Sequence, residues 1–214
     1  MNKEYILFDL DGTITDPKIG ITKGIQYALN KFDIKVDNLD ELCKFIGPPL
    51  KDSFREFYGF DEEKIEEAIG YYREYYKEKG IFENYVYDNF EKLLQLLKFK
   101  RKTLIVATSK PTVFAEKILE HFNLKKYFDF ISGSNLDGTR GNKDEVIKYA
   151  LEQNNILDLS KVVMVGDRKY DIIGAKKIGI ESVGVLYGYG DRDELEECGA
   201  DYIAEDVYKL MEIL

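Results

Sequence analysis

Short apolar runs recur along this chain, each about the length of a buried strand. They are Tyr5–Phe8, Thr103–Ala107, Phe128–Ser132, Val162–Val165 and Ser182–Leu186, with Tyr202–Ala204 as a shorter edge candidate. The runs are largely unalternated. A strand covered on both faces needs apolar side chains pointing both ways, so such runs predict a parallel sheet rather than a half-solvated antiparallel one. Between them the apolar period lengthens to that of a helix. Phe114, Ile118, Leu119 and Phe122 share one face, as do Val146, Ile147, Ala150 and Leu151. Strands alternating with helices predict right-handed crossovers and a doubly wound, mostly parallel, Rossmann-like α/β sheet.

The rhythm breaks between Pro17 and Asn84, where no strand pattern stands out. Ile21, Ile25, Ala28, Leu29 and Phe32 make one helical stripe, and Ile65, Ala68, Ile69, Tyr72 and Tyr76 make another. The pattern predicts a small α-helical domain, 17–84, inserted after the first strand, with 1–16 and 85–214 forming the α/β core. Asp16-Pro17 and the stretch from Gly80 to Tyr87 are the predicted hinges. The run Tyr71, Tyr72, Tyr75 and Tyr76 reads as helix packing with a half-exposed face.

Composition removes several function classes. A chain of 214 residues buries a large core without disulfides. Its two cysteines, Cys43 and Cys198, and its single histidine, His121, cannot build a Cys/His zinc cluster. One histidine away from the strand tips also argues against a histidine-based hydrolase. Two thiols with no need to pair, and no apolar leader at the N-terminus, are expected of a cytoplasmic protein. No window reaches the ~20 consecutive apolar residues of a membrane span. The net charge of -9 disfavours nucleic acid and anionic membranes as partners. A small anionic substrate stays compatible if a metal and local cations line its site. Monomer and homodimer are both compatible with the sequence.

Candidate chemistry gathers where the apolar runs stop. Tyr5–Phe8 ends in Asp9-Leu10-Asp11-Gly12-Thr13. Alternation along an extended backbone sends Asp9 and Asp11 to the same side. Two carboxylates so close repel unless a cation or a shared proton relieves them, and a hard divalent ion such as Mg2+ suits oxygen ligands and phosphate. Thr108-Ser109-Lys110-Pro111 follows the second run, a polar loop leads from the third to Lys143, and Gly166-Asp167 with Asp171 follows the fourth. Open parallel sheets bind ligands at these carboxyl ends, so the tips are expected to converge. Each has a plainer reading. Thr108 and Ser109 cap the helix that begins near Pro111, Lys143 is a solvated first-turn lysine, and Asp171 is an acid at a helix N-terminus. The Leu136-Asp137-Gly138-Thr139 spelling is read as a loop, and Arg168 and Lys169 either touch substrate or balance local carboxylates.

Taken in order, Asp9-Leu10-Asp11-Gly12-Thr13, Thr108, Lys143 and Gly166-Asp167 with Asp171 resemble the four motifs of the haloacid dehalogenase-like hydrolase superfamily. The inserted helical segment is similar to the cap of its phosphoglycolate phosphatase-like and 5'-nucleotidase-like members, as are Ile46-Gly47-Pro48-Pro49-Leu50 and Thr108-Ser109-Lys110-Pro111. The resemblance implies a Mg2+-dependent phosphatase acting on a small phosphorylated metabolite, phosphoglycolate-like or a nucleoside 5'-monophosphate. Asp9 would be the nucleophile and Asp11 the general acid and then base. Thr108 would donate to the phosphoryl oxygens and Lys143 would offset charge. Asp9, the Asp11 backbone carbonyl, Asp167 and Asp171 would serve the metal. The turn amides at Asp11-Gly12 are expected to donate to phosphate. Gly12, Ser109, Gly47, Lys51 and Arg55 are the candidate substrate contacts. A β-phosphoglucomutase-like mutase shares the nucleophile and the acid. A phospho-acceptor regulatory module is the non-enzymatic alternative.

Overall fold

A computed structural model describes all of Met1–Leu214. The chain divides into two compact units, Met1–Asp16 with Val86–Leu214, and Pro17–Tyr85. The first unit is built on six parallel strands: β1 (Tyr5–Phe8), β4 (Thr103–Pro111), β5 (Phe130–Ser134), β6 (Val162–Gly166), β7 (Glu181–Val185) and β8 (Tyr202–Ala204). Their order is β5-β4-β1-β6-β7-β8. Helices α4 (Phe90–Phe99), α5 (Thr112–His121), α6 (Lys143–Gln153), α7 (Lys169–Ile178), α8 (Arg192–Glu197) and α9 (Val207–Ile213) make up the rest. The winding runs outward to β5, returns to β6 beside β1, and then runs the other way. That reversal opens a crevice at the carboxyl ends of β1 and β6.

Both faces of the sheet are covered, as the unalternated runs require. Leu7, Ile105 and Met164 pack on Val146, Ile147, Ala150 and Ala175. Phe8 points to the other face and meets Phe90 edge-on at 5.5 Å. Register then fixes where the chemistry lies, because Phe8 stands level with Val106 on one side and Val165 on the other. The residues after them emerge on one edge. Strand boundaries shift from the sequence expectation by a residue at β6 and β7, and by more at β5 and β4. β5 starts at Phe130 rather than Phe128, because Phe128 N closes a tight turn on Lys125 O. β4 continues past Ala107 to Pro111 with a shift of register against β5.

The short strands β2 (Thr15–Asp16) and β3 (Tyr85–Val86) stand at the two crossings between the units. The second unit is helical, with α1 (Lys18–Asn30), α2 (Leu50–Tyr58) and α3 (Glu62–Glu78) and a short 3-10 turn at Leu39–Phe45. Ile21, Ile25, Ala28 and Leu29 of α1 are buried, as are Ile65, Ala68, Tyr72 and Tyr76 of α3. Phe45, Phe54 and Phe60 form an aromatic cluster that closes the α2 end. No helix of the chain is long and apolar enough to cross a membrane. Cys43 and Cys198 are both free thiols.

Candidate active site

Asp9 is the first residue past β1, and its amide donates to Val165 O at 2.9 Å, which ties it to the β6 side of the crevice. Its Oδ1 accepts from the Leu10 amide at 2.7 Å and lies 2.8 Å from Lys143 Nζ. Oδ2 has no protein donor. Lys143 opens α6 and turns back into the sheet edge, where its side chain is only 3% exposed. Three oxygens surround its three ammonium protons: Asp9 Oδ1, Asp171 Oδ1 at 2.8 Å, and Ala107 O at 3.1 Å. Burial alone would pull Lys143 down, but Asp171 and Asp9 outweigh it and hold the ammonium above the ordinary lysine range. The solvated reading of Lys143 is therefore wrong, and the anions a helix-start cation needs are present.

Asp167 follows β6 and is fully buried. Its Oδ2 accepts from the Tyr189 amide at 2.8 Å, and its Oδ1 from the Thr13 hydroxyl at 3.3 Å. Asp171 takes the helix-start role the sequence allowed and also reaches the crevice. Its Oδ2 accepts from the Arg168 amide at 3.1 Å at the start of α7, and its Oδ1 faces Lys143. Burial, then the neighbouring Asp171 and Asp9, push Asp167 well above the usual carboxylate range. Burial and Asp9, opposed by Lys143, carry Asp171 up to about 6.

Asp9, Asp167 and Asp171 place carboxylate oxygens within 4.8 Å of one another. Lys143 offsets only one of those three charges. Asp171 Oδ1 is buried, with the Lys143 ammonium as its near partner. An all-oxygen cluster with surplus negative charge fits a hard divalent cation.

Asp11 stands apart from that cluster. Its Oδ2 pairs with Lys110 Nζ at 2.8 Å, both side chains largely buried, and its Oδ1 is buried with no partner. Burial raises the Asp11 carboxyl, Lys110 opposes that rise, and Asp9 adds to it. Thr108 is buried at the tip of β4, and its Oγ1 accepts from the Lys110 amide at 3.3 Å. Gly12 has φ +82, and a Cβ there would fall 2.1 Å from Asp167 Oδ2, so only glycine lets the β1 turn back onto that carboxylate. One expectation fails here. The Gly12 amide does not face a ligand, because it closes the turn on Thr15 O at 2.7 Å.

The remaining candidates lie elsewhere. Ser109 is half-buried on β4. Gly47, Lys51 and Arg55 belong to the helical unit, where Gly47 adopts φ +106 before α2. Lys51 and Arg55 are both held by Glu62. Arg168 pairs with Glu194 at 2.9 Å, which favours its charge-balancing reading. Asp137 closes a polar turn on Thr139, and His121 ends α5.

The haloacid dehalogenase-like hydrolase model matches residues 6–185, which carry every one of these tips. The chain belongs to the haloacid dehalogenase-like hydrolase family. It is 44% identical over 209 residues to a 5'-nucleotidase of Pseudomonas aeruginosa, covering 98% of this chain and 94% of that one. It is 39% identical to the tyrosine-protein kinase PtkA of Mycobacterium tuberculosis over 91% of this chain and 66% of that protein. Among solved structures, a predicted phosphatase from Clostridium acetobutylicum superposes with a TM-score of 0.97 at 54% identity, covering 100% of this chain and 98% of that one.

Three groups of this hydrolase escaped the sequence reading. Lys110 lies in the quoted Thr108–Pro111 tip, but β4 loses regular register after Ala107, so alternation could not say which way the side chain points. Thr13 and Tyr189 both reach Asp167. The signal for Tyr189 was the pair of glycines flanking it after a strand, at Gly188 and Gly190.

Proposed function

We propose that the chain is a Mg2+-dependent phosphomonoesterase that hydrolyses a small phosphate ester, a nucleoside 5'-monophosphate first and a phosphoglycolate-like acid second, through an aspartyl-phosphate on Asp9. One observation carries the reading. Asp9, Lys143, Asp167 and Asp171 are buried together, while Asp11 is held apart on its own lysine. The near-full-length similarity to a 5'-nucleotidase supports the nucleotide as first substrate.

Asp9 Oδ2, which no donor engages, attacks phosphorus as the bond to the leaving oxygen breaks. That oxygen takes the Asp11 proton, and the raised carboxyl suits a group that must arrive protonated. Asp11, now a carboxylate, removes a proton from water as the water oxygen attacks phosphorus. The Asp9–phosphorus bond then breaks, and both aspartates return to their starting states. Thr108 donates to a phosphoryl oxygen, and Lys143 orients Asp9 through Oδ1. Asp9, Asp167 and Asp171, with the Asp11 backbone carbonyl, would hold Mg2+, which when bound offsets phosphate charge and aligns the phosphoryl group.

The test is a screen of nucleoside 5'-monophosphates, phosphoglycolate and sugar phosphates with and without Mg2+, beside Asp9→Asn. Mg2+-dependent turnover that Asp9→Asn abolishes is expected, with a hydroxylamine-sensitive phosphoprotein trapped in the wild type. Full activity in Asp9→Asn excludes the covalent route.

A further inference from the structure

The loop after β7 takes no part in the chemistry above, yet it wraps Asp167. A Cβ on Gly188 would lie 2.4 Å from Asp167 Cβ and 2.4 Å from Gly12 O, and one on Gly190 would lie 2.1 Å from Asp167 O. Between those glycines the Tyr189 amide donates to Asp167 Oδ2 at 2.8 Å. The same loop holds both feet of the inserted segment. The Tyr189 hydroxyl donates to Asp16 Oδ1, on the last residue before the chain leaves for the helical unit. The Tyr187 hydroxyl donates to Thr13 O at 3.1 Å. The Tyr187 ring packs edge-on at 4.8 Å against Tyr87, one residue past the return at Val86, and the Tyr87 amide donates to Ile14 O at 3.2 Å. One four-residue loop thus touches the outgoing strand, the returning strand and a buried carboxylate.

We propose that Tyr189 is a positioning residue that ties the hinge of the inserted domain to the metal-holding carboxylate: its side chain is anchored on Asp16, and that anchor keeps its own amide on Asp167. The inference rests on the magnesium reading above. A carboxylate offered to a cation binds well only when its second oxygen is held, and outer partners of that sort commonly govern metal affinity. Asp167 is held by a backbone amide, which side-chain truncation leaves in place, so the geometry depends on what fixes the loop. Gly188 and Gly190 let the loop approach Asp167 closely but bring no side chain to anchor it. Beside the Tyr187 contacts, the phenol on Asp16 restrains the loop, and it does so at the last residue before the inserted domain. A displacement of Asp16 would then reach Asp167 through Tyr189 without any contact to substrate.

The experiment is calorimetric titration of metal-free protein with Mg2+ alone, with no substrate. Tyr189→Phe deletes only the hydroxyl and leaves the ring and the amide. Its Mg2+ affinity is expected to fall about tenfold, and Asp16→Ala should lose a similar amount. The double variant should be no weaker than either single one, since both remove the same link. Asp16→Asn, which keeps an acceptor, should stay within about twofold of wild type. Amide exchange at Tyr189 in the metal-free protein should quicken in Tyr189→Phe. Wild-type Mg2+ affinity in Tyr189→Phe, or additive losses in the double variant, overturns the link while leaving the magnesium reading intact. A wild type that binds no Mg2+ overturns both.

Discussion

Replacing Lys110 by methionine isolates the one charge that sets the Asp11 proton. The ammonium lies 2.8 Å from Asp11 Oδ2, with side-chain exposures of 5% and 12%. Among the influences that lower Asp11, Lys110 stands first. An opposite charge at such range holds a carboxyl down by about 1–3 pKa units, equivalent to roughly 1.4–4 kcal/mol. The variant leaves Asp11 buried with Asp9 nearby and only the weaker pull of Lys143 to oppose them, so its carboxyl moves further up. Asp11 must be protonated to release the leaving group, so the basic limb of the pH–rate profile should move to higher pH by about one unit or more. The assay is kcat/KM against pH for an alkyl phosphate beside p-nitrophenyl phosphate. The alkyl ester should show the shift in full, because its alkoxide needs the proton. The nitrophenolate needs little help and should show it weakly. An unmoved limb, or one displaced toward acid, refutes the assignment of Asp11 as the proton donor under Lys110 control.

Asp11→Asn should slow turnover of alkyl esters at every pH and accumulate phosphoprotein, since the water then lacks its base; unchanged rates would remove Asp11 from the mechanism. Lys143→Met strips two buried carboxylates, Asp9 and Asp171, of their shared cation and should cost about 3–5 kcal/mol in urea unfolding, an effect that shrinks as acid neutralises them; a loss under about 1 kcal/mol would mean the cluster relaxes freely. In metal-free wild type, Asp171 has its carboxyl raised from an ordinary 3.8 to about 6, so its contribution is fully present below the lower value and is lost as pH rises through the upper one. That contribution is on the order of 3 kcal/mol, with Asp167 and Asp11 acting in the same direction. Unfolding midpoints should therefore fall between about pH 4 and pH 6.5, and Mg2+ should restore them at the upper end; a metal-free protein more stable at about pH 6.5 than at about pH 4 would contradict the sign.

The sheet was legible because buried parallel strands write both faces in apolar residues, and the inserted unit because α1 and α3 keep a helical period where strands were due. Asp9 and Asp167 were legible because each sits just past a strand end, the one place such a fold presents side chains to a ligand, and Lys143 because it opens the helix that the loop from such an end leads to. Contacts carried by the main chain left no such trace. The Gly12 amide turned from phosphate donor to turn closure because the partner, Thr15 O, is a backbone atom that any residue supplies. The Tyr189 amide on Asp167 is equally silent in residue identity. Lys110 was hidden for a different reason, since an irregular strand end breaks the alternation that assigns a side chain to a face.

Charge explains why these tips belong to one device. Four carboxylates, Asp9, Asp11, Asp167 and Asp171, are buried at the crevice against two ammoniums, Lys110 and Lys143. The lysines are not interchangeable. Lys143 bridges two members of the cluster and leaves it with two negative charges in excess, while Lys110 serves Asp11 alone. A divalent cation would balance the first group and leave Lys110 to the Asp11 carboxyl. Asp9 and Asp11 leave the same β1 tip two residues apart, and two lysines from different elements, β4 and α6, give them different electrostatic surroundings.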